Sequence, residues 1–553
     1  MRLKHFFPIL FIILLLGSCK KLDNDFDKLL NNPNQPTPNS ADVDLYLNTV
    51  QLTFPDFFYN LSNYGNSYTR MEYFFGPTYT SGQQPQNFDG IWTEAYTTIL
   101  KNIDAMVPVA ISQKKLMHAG IGRILKAYTL ITLVDFFGDI PYTEAVKGVE
   151  NLNPAVDKGR TVYDSSIALL TQAKLDLAKS SPKPANDLYY GGNASNWIAL
   201  ANSLLLKIYI QTRLVDAGAK GKIDALITDN KLISTSAQNF TFKYGSKDLA
   251  PDSRHPKYGN NYTSGGAGDY LGNYFLYSLY SEKGFSDPRL RYYFYRQTLD
   301  VTKDITDPVT LQFTVPCRTR PFPSTYPPGT PFCMVSNSYW GRDHGNSEGG
   351  PPDAQFITTW GVYPVGGEFD ADQGKAVAAG IGGKGQGIQP IWMSFFTDFV
   401  KAEAALTLGT AGDPKTLLLS AVDKSLNTVR DFPGTVGVTV PASFAMTQTQ
   451  INDYKKFVGD AYDNASSTGA KLNIIIKEYY ISLWGNGIES YNNYRRTGKP
   501  SNMQPMLQSN PGPFSRSFFY PSVYVNLNKS AVQKGSTAVQ VFWDNNPATG
   551  FVF

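Results

Sequence analysis

The sequence predicts a mainly α-helical chain of stacked helical hairpins carrying one large irregular, loop-rich region. Three observations support this. Apolar residues recur at helical spacing in segment after segment, and short or moderate connections join neighbouring segments in pairs. Between the two helical blocks lies a long stretch rich in Gly, Pro, Tyr and Ser.

The chain opens on "FFPILFIILLLGSCKKLDNDFDK". Arg2 and Lys4 precede an apolar run from Phe6 to Leu16, and the small residues Gly17 and Ser18 close it. This is the layout of a secretory signal peptide, here residues 1–18. The run is shorter than the about 20 apolar residues that span a bilayer. Leu16-Gly17-Ser18-Cys19 is similar to a bacterial lipobox, in which the cysteine becomes the lipid-bearing first residue of the mature chain. Several buried acyl chains anchor a protein without a spanning helix, each methylene contributing about 0.8 kcal/mol. Cys19 is therefore the expected lipidation site, and an ordinary signal peptide with a chance cysteine is the alternative. Residues 19–40 form the lipidated end and tether, and the polar, proline-broken run "NNPNQPTPNSADVD" (31–44) leads to the first helix.

Residues 41–553 are expected to form one domain, with its helical scaffold at 41–234 and 391–500 and the loop-rich excursion at about 235–390. In "NFDGIWTEAYTTILKNIDAM", Ile91, Ala95, Ile99 and Ile103 recur every four residues. "KKLMHAGIGRILKAYTLITLVDFFGDIPY" reads as a long helix stopped by Gly138 and Pro141. "RTVYDSSIALLTQAKLDLAKS" follows, with Thr161 and Asp164 close to a capping box, and then "NASNWIALANSLLLKIYIQTRLVDAG". The second block holds "WMSFFTDFVKAEAALTLG", "DPKTLLLSAVDKSLNTVR", "TQTQINDYKKFVGDAYDNA" and "AKLNIIIKEYYISLWGNGIESY". The 34-residue tetratricopeptide consensus is absent, so pairing is predicted and a repeat family is not.

Composition narrows the function. Lys plus Arg numbers 50 against 46 Asp plus Glu, and loss of Arg2 and Lys4 brings the balance closer to neutrality. A nucleic-acid binder would carry a basic face or stripe. Charged residues make up only 17% while aromatics reach 14%, a surface suited to uncharged ligands with flat apolar faces such as sugars. Any single ring is nevertheless more often a core residue. Cys317 and Cys333, in "PCRTRPFPSTYPPGTPFC", would be bridged in an oxidising compartment, and a structural disulfide is favoured over two free thiols.

Motifs of catalysis are sparse. His118, His255 and His344 lie far apart, and neither HExxH nor CxxC occurs, so no metal, cofactor or His-based catalytic site is expected. Gly380, Gly382 and Gly385 match GxGxxG by letters, but no strand pattern precedes them and no helix opens on them. No pair of carboxylates stands out as a glycosidase would require, and Glu478 and Glu489 read as scaffold ion pairs.

Several segments together resemble the SusD/RagB family of outer-membrane nutrient-binding lipoproteins, in its SusD-like branch. They are "DFDKLLNNPNQP", "RILKAYTLITLVDFFGDIPYTEAVKG", "NWIALANSLLLKIYIQTR", "FSDPRLRYY", "FTDFVKAEAAL", "GIESYNNYRRTGKP" and "VQVFWD". They run in family order from about residue 25 to residue 544, and the match thins over the excursion apart from "FSDPRL". The resemblance implies tetratricopeptide-like helical pairs beneath a loop-rich, ligand-facing region and a lipid anchor in the outer membrane, facing the exterior. It implies a SusC-like TonB-dependent barrel as partner and oligosaccharides, in some members peptides, as ligands, with no enzymatic activity. Of the motif residues, Asp135, Gly138, Asp139, Pro141 and Tyr142 read as a helix stop, and Arg495 and Arg496 as partners of helix-end carbonyls or of a carboxylate such as Glu489.

Two windows mix aromatic and polar residues outside clear helices. The first, 64–90, offers Tyr68, Arg70, Tyr73, Tyr79, Gln83 and Asn87 as ligand contacts. The second offers Tyr339, Trp340, Arg342, Asp343, Trp360 and Tyr363. Rings would stack on sugar faces while the amides and charged groups bond hydroxyls. The expected function is capture of a glycan at the cell surface and its delivery to a TonB-dependent transporter. A surface-anchored glycan hydrolase and a structural lid that binds no nutrient are the alternatives.

Overall fold

The computed structural model describes residues 42–301, 316–336, 338–347 and 356–547. The signal peptide, Cys19 and the tether therefore lie outside the described residues. The first helical block holds α1 (Val43–Tyr68), α2 (89–112), α3 (Leu116–Phe137), α4 (Gly159–Leu177), α5 (Ala194–Gln211) and α6 (Ala219–Asp229). The second holds α7 (Ser394–Leu408), α8 (Pro414–Thr435), α9 (Gln448–Asn464), α10 (Thr468–Ser482) and α11 (Gly487–Thr497). Several starts are specified by their N-cap residues: Asp42, Asn193, Asp413, Thr447, Ser467 and Asn486 each accept a hydrogen bond from an amide of the first turn. Thr161 is no such cap. Helix α4 begins at Gly159, and the Asp139 carboxylate accepts the Gly159 amide at 2.8 Å.

Consecutive helices pack in pairs: α2 on α3, α3 on α4, α4 on α5 and α5 on α6, then α7 on α8, α8 on α9 and α9 on α10. Helices α1 and α11 close the two blocks against each other, and their backbones meet at two glycines. A Cβ on Gly65 would stand 2.0 Å from the Gly487 carbonyl oxygen, so neither position has room for a side chain.

The family-like motifs converge on one buried carboxylate. Asp135, at the end of α3, accepts hydrogen bonds from Tyr163 of α4, from Asn492 of α11 at 2.7 Å and from the Trp543 indole at 3.0 Å. Lys207 of α5 adds a 3.4 Å contact and bonds Glu489 at 2.8 Å. These buried groups are paired with one another, which is the condition for burying charge. Gly138 follows with φ +77°, a conformation that ends the helix and favours glycine. Glu489 is thus occupied by Lys207, and the two arginines go elsewhere. Arg496 forms a bidentate pair with Glu403 of α7, while Arg495 donates to the Arg516 carbonyl and to Asn492.

The 235–390 stretch is mostly irregular but carries short helices at Pro256–Asn261, Asn273–Tyr280 and Leu290–Tyr293. Two antiparallel pairs hold it, β1 (Phe240–Lys243) with β4 (Ile388–Trp392) and β2 (Phe294–Tyr295) with β3 (Thr359–Trp360). The "FSDPRL" motif fastens it to the second block. Arg289, fully buried, bonds Asp287 at 2.8 Å, Ser425 of α8, Tyr454 of α9, and Glu478 and Ser482 of α10. Burial opposes ionisation of Asp287, but the charges of Arg289 and Lys283 hold its carboxyl far below the usual range. Cys317 and Cys333 are joined in a disulfide with Cα atoms 5.5 Å apart. The GxGxxG-like glycines serve close packing: a Cβ on Gly382 would lie 2.3 Å from the Gly367 carbonyl oxygen.

Candidate functional site

One face of α1 departs from the apolar pattern. Asn60, Asn63, Tyr64 and Ser67 follow at intervals that place them on one side of a 3.6-residue helix, opposite the buried Phe54, Phe58 and Leu61. This polar stripe forms one wall of a cleft of about 660 Å³, a size suited to a small oligomeric ligand. The second wall is the turn at Pro85–Phe88 and the start of α2, contributing Gln83, Asn87, Ile91 and Glu94. The Tyr64 hydroxyl donates to the Asn87 carbonyl at 3.1 Å and joins the two walls. Lys257, Asn260, Asp269 and Tyr270 form the third wall, and Glu72 and Tyr73 also line the cleft.

The second wall has an unusual backbone. Helix α2 is α-helical over Asp89–Thr93, π-helical over Glu94–Leu100 and α-helical again over Lys101–Ser112. A strict four-residue recurrence overshoots the α-helical turn by about 40° each time, and the wider turn absorbs the excess. Ile91, Ala95, Ile99 and Ile103 consequently all stay buried, and Glu94, first residue of the π stretch, lines the cleft. Such insertions are frequent at functional sites.

The cleft is acidic. Lys257 is buried and paired with Glu72 and, at 3.2 Å, with Asp269; its ammonium also lies 5.6 Å from the Trp360 ring. Burial disfavours the ammonium, but these two carboxylates hold its pKa well above the ordinary lysine value. Burial pushes the Glu72 carboxyl up despite Lys257. The Asp269 carboxyl is also disfavoured by burial, yet the Lys257 charge and the Asn261 amide bring it below its ordinary value. Among the described residues Glu94 pairs with no cation. Its Oε2 is buried without a hydrogen-bonding partner, and burial together with the nearby Asp56 charge raises its pKa.

Of the residues expected to touch ligand, Tyr73, Gln83 and Asn87 line the cleft. The other nine, Tyr79 among them, are buried and do not line this cleft. Tyr68 packs among Phe74, Tyr491, Phe514 and Phe518. Arg70 bonds the Tyr79 hydroxyl at 2.8 Å and the Gln504 carbonyl at 2.9 Å, both inside the core. Tyr339 lies under the Arg296 guanidinium, and Trp340 packs with Val301, Cys333 and Ile357. Asp343 is buried against Asn273, Gln504 and the Cys333 amide. Trp360 stacks on Trp484 at 3.6 Å, and Tyr363 packs on Tyr293 and Phe432. Arg342 has an indirect place in the site, its guanidinium 4.1 Å from the Tyr270 ring and 5.3 Å from that of Tyr73. Mixed aromatic and polar windows read alike whether their rings face solvent or each other, so sequence alone does not tell these buried rings from cleft-lining ones. The sequence reading did not name the α1 stripe, Glu72, Glu94 or the Lys257 wall, all of which line the candidate cleft. The stripe had a signal in "YNLSNYGNS", but polar residues on one helical face ordinarily mean solvent. Phe75, 62% exposed and edge-on to Tyr73 at 6.2 Å, adds an apolar ring beside the cleft.

Among the described residues no group of His, Cys, Asp and Glu could hold a metal ion, and no helix is long and apolar enough to cross a membrane.

Comparison with known proteins places this arrangement. Residues 34–307 match a family model described as starch-binding and associating with the outer membrane, and residues 384–549 match one described as SusD and RagB outer membrane lipoprotein. No curated protein matches the sequence. Among solved structures, a chitin-binding protein superposes with a TM-score of 0.67 at 19% identity, covering 91% of this chain and 100% of the other. A chitin-binding SusD homolog from Flavobacterium johnsoniae gives 0.63 at 20% identity over 91% and 98% of the two chains. A SusD/RagB family protein from Bacteroides thetaiotaomicron gives 0.66 at 17% identity over 92% and 100%. At these identities the likeness is one of fold. With the two family models spanning both helical blocks, the chain belongs to the SusD/RagB family of nutrient-binding outer-membrane lipoproteins.

Proposed function

We propose that this lipoprotein faces the cell exterior, binds an oligosaccharide in the α1–α2 cleft and delivers it to a SusC-like TonB-dependent barrel. The cleft carries the reading: a preformed cavity whose walls offer Asn60, Asn63, Gln83 and Asn87 to hydroxyls and Tyr73 to a sugar face. Family membership supports the transporter partnership and the lipid anchor at Cys19. Binding without turnover fits the charge arrangement. A glycosidase needs one carboxylic acid and one free carboxylate flanking the scissile bond, whereas Glu72 and Asp269 are both committed to Lys257, which leaves Glu94 without a second free carboxylate in the cleft lining.

The test is calorimetric titration with a soluble oligosaccharide panel, followed by product analysis of the same mixtures. Binding without new reducing ends, weakened at least about tenfold by the N60A/Y73A double variant, is expected. Product release would establish a hydrolase, and a flat response to both glycan and peptide arrays would establish a structural lid. Affinity purification from detergent-solubilised outer membranes should recover a TonB-dependent barrel.

A further inference from the structure

The cleft contains more carboxylates than it has cations to neutralise them. Glu72 and Asp269 share Lys257, and the Glu94 carboxyl stands alone on the opposite wall with Oε2 buried and unbonded. A buried acceptor without a donor costs free energy that a ligand can recover by supplying one. The π-helical turn begins at Glu94, and that side chain lines the cleft. The neighbouring Asp56 deepens the negative potential at that wall.

We propose that Glu94 selects the ligand by charge, accepting a hydroxyl or amine hydrogen and admitting neutral or amino-bearing oligosaccharides while excluding those that carry carboxylates or sulfates. This rests on the reading of the cleft as a glycan site. Anionic sugars would meet three carboxylates and a single lysine that is already paired. A hydroxyl or ammonium donor instead completes the open Glu94 acceptor, and a donor to a charged acceptor makes the stronger kind of hydrogen bond.

The experiment titrates the intact protein with three soluble probes of equal length: a β-linked glucosamine tetramer, its N-acetylated counterpart and a galacturonate tetramer. The glucosamine and N-acetylated tetramers should bind, and the galacturonate tetramer should bind at least about tenfold more weakly than either. E94Q keeps the shape and removes the charge. It should weaken the glucosamine tetramer about tenfold and narrow the gap to galacturonate. E94K should invert the preference. Galacturonate binding as tight as that of the N-acetylated tetramer, or an order of preference unchanged in both variants, overturns the role of Glu94 and leaves glycan capture standing. Absence of binding by all three probes overturns both.

Discussion

The meeting of α1 and α11 at Gly65 and Gly487 yields a prediction in which two physical effects have opposite signs. Gly65 is helical, so G65A gains about 1 kcal/mol from intrinsic helix propensity. Packing opposes it. The added Cβ would lie 2.0 Å from the Gly487 oxygen and 2.4 Å from its carbonyl carbon, where ordinary contact begins near 3.4 Å. The backbones must part by more than an ångström. That stretches the Ser490–Thr69 hydroxyl bond from 2.9 Å and the Tyr480 bond to the Thr69 carbonyl from 2.8 Å. Overpacking costs about 1–3 kcal/mol, and each hydrogen bond lost about 1 kcal/mol more. Net destabilisation of about 1–4 kcal/mol should result, with weaker glycan binding because α1 carries one cleft wall. Guanidinium unfolding followed by circular dichroism reads the effect. G221A is the control: that glycine lies in α6 with nothing within 4 Å of the new Cβ, so propensity acts alone and stability should rise by about 0.5–1 kcal/mol. A G65A midpoint equal to or above wild type would refute the packing argument.

Further predictions concern the buried polar groups and the loops. D135A removes the acceptor shared by Tyr163, Asn492 and Trp543 and one of the two partners of Lys207, and should cost about 3–5 kcal/mol in guanidinium unfolding; a loss below about 1 kcal/mol would show the network to be dispensable. Burial and the Lys257 charge push the His255 imidazole down to about 3 from 6.5, so between those values the unfolded chain binds a proton that the folded one does not. Stability should therefore fall as pH drops through that window, by up to about 1.4 kcal/mol per pH unit, and H255Q should flatten the slope; parallel profiles for the two proteins would contradict a neutral His255. The C317S/C333S double variant releases a loop closed over 16 residues, worth about 3 kcal/mol in the chain-entropy model, and should hasten proteolysis between those positions without altering the helical circular dichroism. Unchanged cleavage would mean that local packing alone orders the segment.

The helices were legible because burial leaves a period: Ile91, Ala95, Ile99 and Ile103 announce a stripe, and all four are buried. The motif residues were legible as scaffold, although Arg496 found Glu403 instead of Glu489, since which carboxylate meets which cation depends on helix placement that no local pattern encodes. Of the residues that line the candidate cleft, the sequence pointed to Tyr73, Gln83 and Asn87. Its other contributors come from α1, from the π turn and from a lysine some two hundred residues away, and only tertiary structure brings them to one place. Rings such as Trp360 and Tyr68 looked like sugar platforms because the same amphipathic chemistry builds a crowded aromatic interior.

Asp135 also bears on how the molecule can be assembled. Its partners are separated by most of the chain, from Tyr163 and Lys207 to Asn492 and Trp543. Until the tryptophan arrives, the carboxylate and the ammonium sit in a half-built interior with their stations empty. Each of the two family-matched stretches is therefore expected to be less stable when expressed alone, because Asp135 and Lys207 in one draw partners from the other.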